Sequence, residues 1–332
     1  MNLQERIGLL QQLGEYLKAG TPEWREAVTR AGQENGWFTE AFVNRAADAI
    51  VRNYLQRDAL ERWAAGYDLP EQRPFPRRTG IVMAGNIPLV GFHDWLSVFI
   101  SGHQAVVKPA SQDNRLIRHI TDVLAGWHPD AGSQTTYAEM LKGCDAYLAT
   151  GSNNSSRYFE YYFGKYPHLI RRNKTAAALL TGTESPEHLR ALADDVHIYF
   201  GRGCRNVTKL YVPRHYDFVP LLDAFRSYAH LSEHHKYRNN YDYQLALLLL
   251  NKRYYMTNGT LLLTEDPALF APISQLHYEY YDDPEQTLET LRSHPDLQCI
   301  AGPVLPFGCT QEPGLTDYAD GADTLAFLCN LP

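Results

Sequence analysis

The chain has no C-x-x-C pair, no G-x-G-x-x-G, and no apolar run near the roughly 18 residues that would span a bilayer. Its five cysteines, at 144, 204, 299, 309 and 329, are odd in number and far apart. Neither a disulfide framework nor a zinc site is built that way, so no metal is expected and the pattern fits a reducing cytoplasm. An excess of basic charge is also missing. Lys and Arg number 31 against 38 Asp and Glu, a net −7, which gives no reason to expect nucleic acid as a partner. The opening MNLQERIGLLQQLGEYL is amphipathic and charged, unlike a signal peptide. A soluble, cytoplasmic chain is therefore expected, and 332 residues are enough for two or three domains.

Tyrosine is plentiful: 22 residues, clustered at 158–166, 237–243 and 278–281. Such amphipathic rings fill clefts and subunit surfaces, and a homo-oligomer is expected. The first seventy residues carry a helical period. Leu3, Ile7, Leu10, Leu13 and Leu17 fall on one face, Thr21-Pro22 and Thr39-Glu40 read as helix starts, and Asp58 opens a further helix. The proline- and arginine-rich stretch 69–80 reads as a linker.

Beyond it, short apolar strands alternate with helices. Strands are expected at 81–84, 105–108, 146–149 and 175–180, with helices at 89–100, 115–125, 155–163 and 186–199. That alternation implies an α/β domain with a doubly wound, mostly parallel sheet that binds a nucleotide cofactor. A second α/β domain follows, with strands at 208–212, 260–264, 275–281 and 297–301 and helices at 217–229, 241–251 and 284–293. The expected division is a helical segment 1–78, a Rossmann-like cofactor domain 79–198, a catalytic domain 199–305, and a C-terminal segment 306–332. The apolar run Thr324–Leu328 in that last segment could add a strand to the same or a neighbouring subunit.

Three elements carry candidate chemistry. Cys204 sits in Gly201-Arg202-Gly203-Cys204-Arg205, on a turn whose glycines permit tight geometry. A free cysteine is most often a buried small hydrophobe. Here Arg202 and Arg205 favour the thiolate, which marks Cys204 as a nucleophile. Asn86, in Gly85-Asn86-Ile87-Pro88 after the first strand of the sheet, either makes a turn or aims its amide at an oxyanion. Lys108, in Val107-Lys108-Pro109-Ala110-Ser111, can meet a ribose or phosphate as a point charge, although a lone lysine is more often solvated. Ser111 carries no charge to repel a 2′-phosphate. Gly151 and Ser152, after the third strand, add a weak phosphate-contact signal. His93-Asp94 and His234-His235 do not form a metal or triad pattern, because adjacent positions on a helix point about 100° apart. His93 reads as a core or supporting residue and 232–236 as a solvated helix start.

Together these elements resemble the aldehyde dehydrogenase superfamily over about residues 79–332. Asn86 is similar to the asparagine of its N-x-P turn, Val-Val-Lys-Pro-Ala-Ser to its cofactor motif, Thr-Gly-Ser at 150–152 to the start of G-S-T-x-x-G, and Gly203-Cys204 to its glycine-x-cysteine turn. The runs Asn-Ile-Pro-Leu-Val-Gly-Phe-His-Asp, Gly-Arg-Gly-Cys-Arg-Asn-Val and Pro-Phe-Gly further resemble the acyl-CoA reductase family that includes the fatty-acid reductase of bacterial luminescence systems. That resemblance implies reduction of an acyl-CoA to the aldehyde by NADPH or NADH, with an acyl-donating partner enzyme as an option. One departure supports it. Where hydrolytic members have E-L-G-G-K this chain has Ile170-Arg171-Arg172-Asn173-Lys174, so the glutamate that activates water is absent. The E-x-F-G-P acid is likewise replaced, by Ala268. The alternatives are an aldehyde dehydrogenase running oxidatively, a cofactor-independent cysteine acyltransferase or thioesterase, and a silent subunit.

Overall fold

The computed structural model describes residues 1–331, which divide into two compact units. Unit 1 contains Met1–Asn173 together with the chain from Pro313 onward. It opens with four helices, α1 (Leu3–Ala19), α2 (Pro22–Glu34), α3 (Glu40–Asn53) and α4 (Arg57–Ala65). Asn2 and Glu5 cap α1 reciprocally, and Gly20 ends it in the left-handed conformation at φ 57°. Thr21 and Thr39 accept the caps of α2 and α3, as their positions predict. By contrast α4 begins after Gln56, and Asp58 lies inside its first turn, paired with Arg62. The expected face of α1 is buried at Ile7, Leu10, Leu13 and Leu17, in the same core as Trp95, Ile117 and Leu325. The N-terminal helices thus share one core with the sheet that follows.

That sheet holds β1 (Arg78–Val82), β2 (Gln104–Lys108), β3 (Thr135–Tyr137), β4 (Ala146–Thr150) and β5 (His168–Arg171), all parallel, in the order β3-β2-β1-β4-β5. The intervening helices are α5 (Phe92–Ile100), α6 (Arg115–Trp127), α7 (Pro129–Gln134) and α8 (Asn153–Phe163). β3, β5 and α7 go beyond the sequence expectation. They are short, and β5 carries a histidine and an arginine that mask its apolar pair. Arg171 at its end is buried, with Nη1 2.6 Å from both carboxylate oxygens of Asp94 in α5.

Unit 2, Lys174–Glu312, contains a six-stranded sheet. Its strands are β6 (Thr175–Leu179), β7 (Val207–Pro213), β8 (Met256–Thr257), β9 (Leu262–Glu265), β10 (Gln275–Tyr281) and β11 (Leu297–Ala301), in the order β11-β6-β7-β10-β9-β8. Only β8 runs antiparallel to its neighbour. The helices are α9 (Pro186–His197), α10 (Val219–Ala224), α11 (His235–Leu250) and α12 (Pro284–Arg292).

Two expectations are corrected. The segment with β6 and α9, assigned from sequence to the cofactor domain ending at 198, belongs to unit 2, because β6 hydrogen-bonds between β7 and β11. Its all-alanine centre, Ala176–Ala178, is fully buried there. The Thr324–Leu328 run is a helix, α13 (Thr324–Cys329), and not a strand. Asp323 caps it through the Ala326 N–H at 2.8 Å, and Leu325 and Leu328, three apart, both face the core.

Two measurements check this core. All five tryptophans lie in unit 1, so their fluorescence reports its unfolding alone. Asp94→Ala would strand the buried Arg171 guanidinium and is expected to lower unit 1 stability by about 3–5 kcal/mol in urea titrations. The second concerns His103, which is buried, accepts the Arg77 N–H at 2.9 Å and lies 3.0 Å from the Leu328 carbonyl. Burial pushes its pKa down to about 4. The unfolded chain therefore binds a proton below about 6.5 that the folded one refuses. Stability is full above that pH and is lost as pH falls towards 4, by about 1.4 kcal/mol per unit from this group. His103→Gln should flatten that slope between pH 6.5 and 5.

Candidate active site

In unit 1 the predicted residues gather at the carboxyl ends of neighbouring strands. Val82, Lys108 and Ala149 lie level across β2, β1 and β4. The Gly85–Pro88 turn, the Lys108–Ser111 loop and the Gly151-Ser152 turn therefore leave the sheet side by side. The strand order changes direction between β1 and β4, where α/β sheets open a ligand crevice. Lys108, Ser111 and Ser152 are exposed there, and Gly151 and Asn86 are half-buried. Ser152 caps α8 through the Ser155 N–H at 3.2 Å. A Cβ on Gly151 would stand 2.8 Å from the Phe159 ring and 2.9 Å from Ser155 Cβ, so only glycine lets the backbone run this close to α8. Exposed cation, helix N-terminus and glycine turn at a switch point fit a dinucleotide.

The Asn86 turn is gripped from below. A Cβ on Gly85 would lie 2.5 Å from that of Ala110, so the loops after β1 and β2 are pressed together. Asp113, at the end of the second loop, accepts the Leu89 N–H at 2.7 Å, and burial pushes its carboxyl up to about 7. Sequence gave no reason to single it out. His93 is a core residue, its Nε2 2.9 Å from the Leu315 carbonyl and its ring packed on Tyr54, Trp63 and Tyr318.

In unit 2, Cys204 is half-buried on a turn between the end of α9 and β7. Three successive residues before the turn, Tyr199, Phe200 and Gly201, have left-handed backbones at φ 56°, 59° and 70°. For the two aromatics this costs about 1–2 kcal/mol each. Burial holds them: the Phe200 ring packs 4.5 Å from His234 and 5.8 Å from Tyr237. His234 in turn caps α11, so the 232–236 run is a helix start as expected.

The residue that fixes the turn is Asn206, fully buried. Its side-chain amide donates to the carbonyls of Asp195 at 3.0 Å and Ile198 at 2.9 Å, and its side-chain oxygen accepts the Gly203 N–H at 2.7 Å. Its backbone N–H closes the turn on the Gly203 carbonyl at 3.1 Å, and its own carbonyl accepts from Ala176 N–H and Thr175 Oγ1 of β6. Asp195 also holds the Pro-Phe-Gly loop, accepting from Gly308 N–H, Thr310 N–H and Thr310 Oγ1. Both residues escaped sequence reasoning. The only signal for Asn206 was a small polar side chain two places after the cysteine.

The arginines divide. Arg202 is half-buried, and burial lowers its pKa. Arg205 hydrogen-bonds to Cys299 on β11, whose thiol burial nevertheless pushes up to about 12. Cys204 sits near enough to Cys299 to contribute to that rise. Cys204, Arg202 and Arg205 belong to unit 2, while Asn86, Lys108, Ser111, Gly151 and Ser152 belong to unit 1. Among the described residues no group of three or more His, Cys, Asp or Glu could hold a metal ion, and no helix is long and apolar enough to cross a membrane.

Two α/β units with these strand orders make up the aldehyde dehydrogenase fold, as the motifs led one to expect. Aldehyde dehydrogenase 21 from Physcomitrella patens, solved with the reaction product succinate, matches with a TM-score of 0.64 at 14% identity, over 87% of this chain and 71% of that one. The NAD+ complex of an aldehyde dehydrogenase from Bacillus cereus matches with a TM-score of 0.65 at 13% identity, over 89% and 70%. In sequence, the chain is similar to a long-chain acyl-protein thioester reductase of Photorhabdus laumondii, 21% identical over 246 residues, 66% of this chain and 50% of that protein. The match thus spans about half the length of that curated relative. No family model matches.

Asn206→Ala would leave several buried backbone groups unsatisfied, each worth about 1–3 kcal/mol. Hydrogen–deuterium exchange of the peptide 198–207 is expected to rise sharply in this variant, with the tryptophan-reported unfolding of unit 1 unchanged.

Proposed function

We propose that this chain reduces an acyl thioester, an acyl-CoA or an acyl-protein thioester, to the aldehyde through an acyl-enzyme on Cys204. The observation that carries the proposal is a half-buried cysteine on a turn held by Asn206 in an aldehyde dehydrogenase fold, without the glutamate of hydrolytic members. By the resemblance, Ile170 in β5 stands where that glutamate would be, and its neighbour Arg171 is taken up by Asp94.

The Cys204 thiolate attacks the thioester carbonyl, and the tetrahedral oxyanion collapses with loss of the acyl carrier's thiolate, which takes a proton from solvent. The side-chain amide of Asn86 and the backbone N–H of Cys204 stabilise that oxyanion. Lys108, Ser111, Gly151 and Ser152 hold the nucleotide, and Arg202 and Arg205 favour the ionised thiol. A bound NADPH, or NADH, supplies the hydride for the second half of the reaction. The resulting thiohemiacetal oxyanion re-forms its C=O bond and expels Cys204 as thiolate, releasing aldehyde. With no carboxylate at position 170 to activate water, the acyl-enzyme survives until reduction. The relative's name adds a protein-borne acyl group to the candidate substrates, and hence an acyl-donating partner enzyme.

Mass spectrometry after incubation with a series of acyl-CoAs is expected to find an acyl adduct on Cys204. Cys204→Ser should lose both adduct and aldehyde formation, and Asn86→Ala should lower kcat by about 10²–10³-fold. Retention of both activities by Cys204→Ser would sink the mechanism. Free acid produced from aldehyde and NAD(P)+ without CoA would instead favour the oxidative direction.

A further inference from the structure

We propose that Asp113 is a positioning residue for the Asn86 turn, its buried carboxyl fixing the course of residues 85–89 by taking the Leu89 N–H. This rests on Asn86 being the oxyanion donor. Asp113 is 6% exposed and directs Oδ2 to that N–H at 2.7 Å, while Oδ1 is buried without a hydrogen-bond partner. A carboxyl is an expensive group to bury for a single backbone bond, and a hydroxyl or amide would accept the same proton at lower cost. The bond therefore secures something that does not hold by itself.

Leu89 supplies the reason. It is a buried, non-glycine residue with a left-handed backbone at φ 57°, a conformation that relaxes unless its surroundings enforce it. Its carbonyl accepts the Phe92 N–H at 2.9 Å at the start of α5, and its N–H goes to Asp113. The turn carrying Asn86 is thus tied at its far end by these two bonds. At its near end it is wedged by the contact of Gly85 with Ala110.

Asp113 is in turn fixed. Its N–H donates to the Ala110 carbonyl at 3.1 Å, and the side-chain amide of Asn35, after α2, holds the Gln112 carbonyl at 3.2 Å. The carboxyl is therefore presented from a loop anchored on both sides. Movement of the Leu89 backbone by about 1 Å would carry Asn86 with it, and misplacement on that scale costs about 10²-fold in rate.

The test compares Asp113→Leu, similar in size but unable to accept, with Asp113→Asn, which keeps an acceptor oxygen. Expected for Asp113→Leu is a fall in kcat for acyl-CoA reduction of about 10–100-fold. Its KM for NADPH should stay unchanged, and exchange should be faster in the peptide 84–92. Asp113→Asn should restore both towards wild type. In an Asn86→Ala background Asp113→Leu should cost little more, because both act through one amide. Equal losses in the Leu and Asn variants, or full additivity with Asn86→Ala, would overturn the proposal, as would unchanged exchange in 84–92. Should Asp113→Leu not fold, Asp113→Ala is read the same way. An Asn86→Ala enzyme with wild-type kcat would count against the oxyanion role alone, since the exchange measurement decides separately whether Asp113 holds the turn.

Discussion

The hydrogen bonds of one buried amide, Asn206, hold the turn that carries the candidate nucleophile of unit 2. Its side chain satisfies two carbonyls at the end of α9 and the N–H of Gly203, while its backbone closes the turn and joins β6. Cys204 lies inside that closed loop, two residues ahead. The left-handed Tyr199–Gly201 segment is held because the amide reaches the Ile198 carbonyl just before it and Phe200, in its middle, is buried. Such a fully satisfied buried polar group specifies a geometry more sharply than apolar packing, which tolerates sliding.

Unit 1 meets the same need by different means. Parallel register sets Val82, Lys108 and Ala149 level, so three loops leave the sheet together without further design. What register cannot do is shape the loops themselves. Close approach does that at Gly85 and Gly151, and the Asp113 carboxyl does it at Leu89. In both units the residues that orient the candidate chemistry are buried polar groups one layer behind it. Their burial is visible in their proton affinities: the carboxyls of Asp113 and Asp195 are both raised.

Much of the fold was legible before any coordinates. Asn2, Thr21 and Thr39 announce their helices because an N-cap acts over three residues. The apolar strands at 105–108 and 146–149 stand out because both their faces are buried, and 275–281 through its alternation of Leu276, Tyr278 and Tyr280 with polar residues. β3 and β5 do not, being too short and too polar at the sheet edges to carry a period. The Thr324–Leu328 run reads as a strand because so short an apolar segment satisfies either period, and only the Asp323 cap marks it as the start of α13.

The sequence by itself determined the elements whose causes are local: capped helices, buried strands, a cysteine between glycines and arginines, an asparagine and a lysine each just after a strand, and the missing glutamate at Ile170. Tertiary structure alone decided that β6 joins β7 and β11, that Arg205 turns to Cys299, and that Asn206, Asp195 and Asp113 are the residues behind the candidate site. The reason is physical. Backbone propensity and capping act within a few residues, whereas strand partners and the burial of a polar side chain are settled by groups far along the chain, such as Asp195 and Thr310, 115 positions apart.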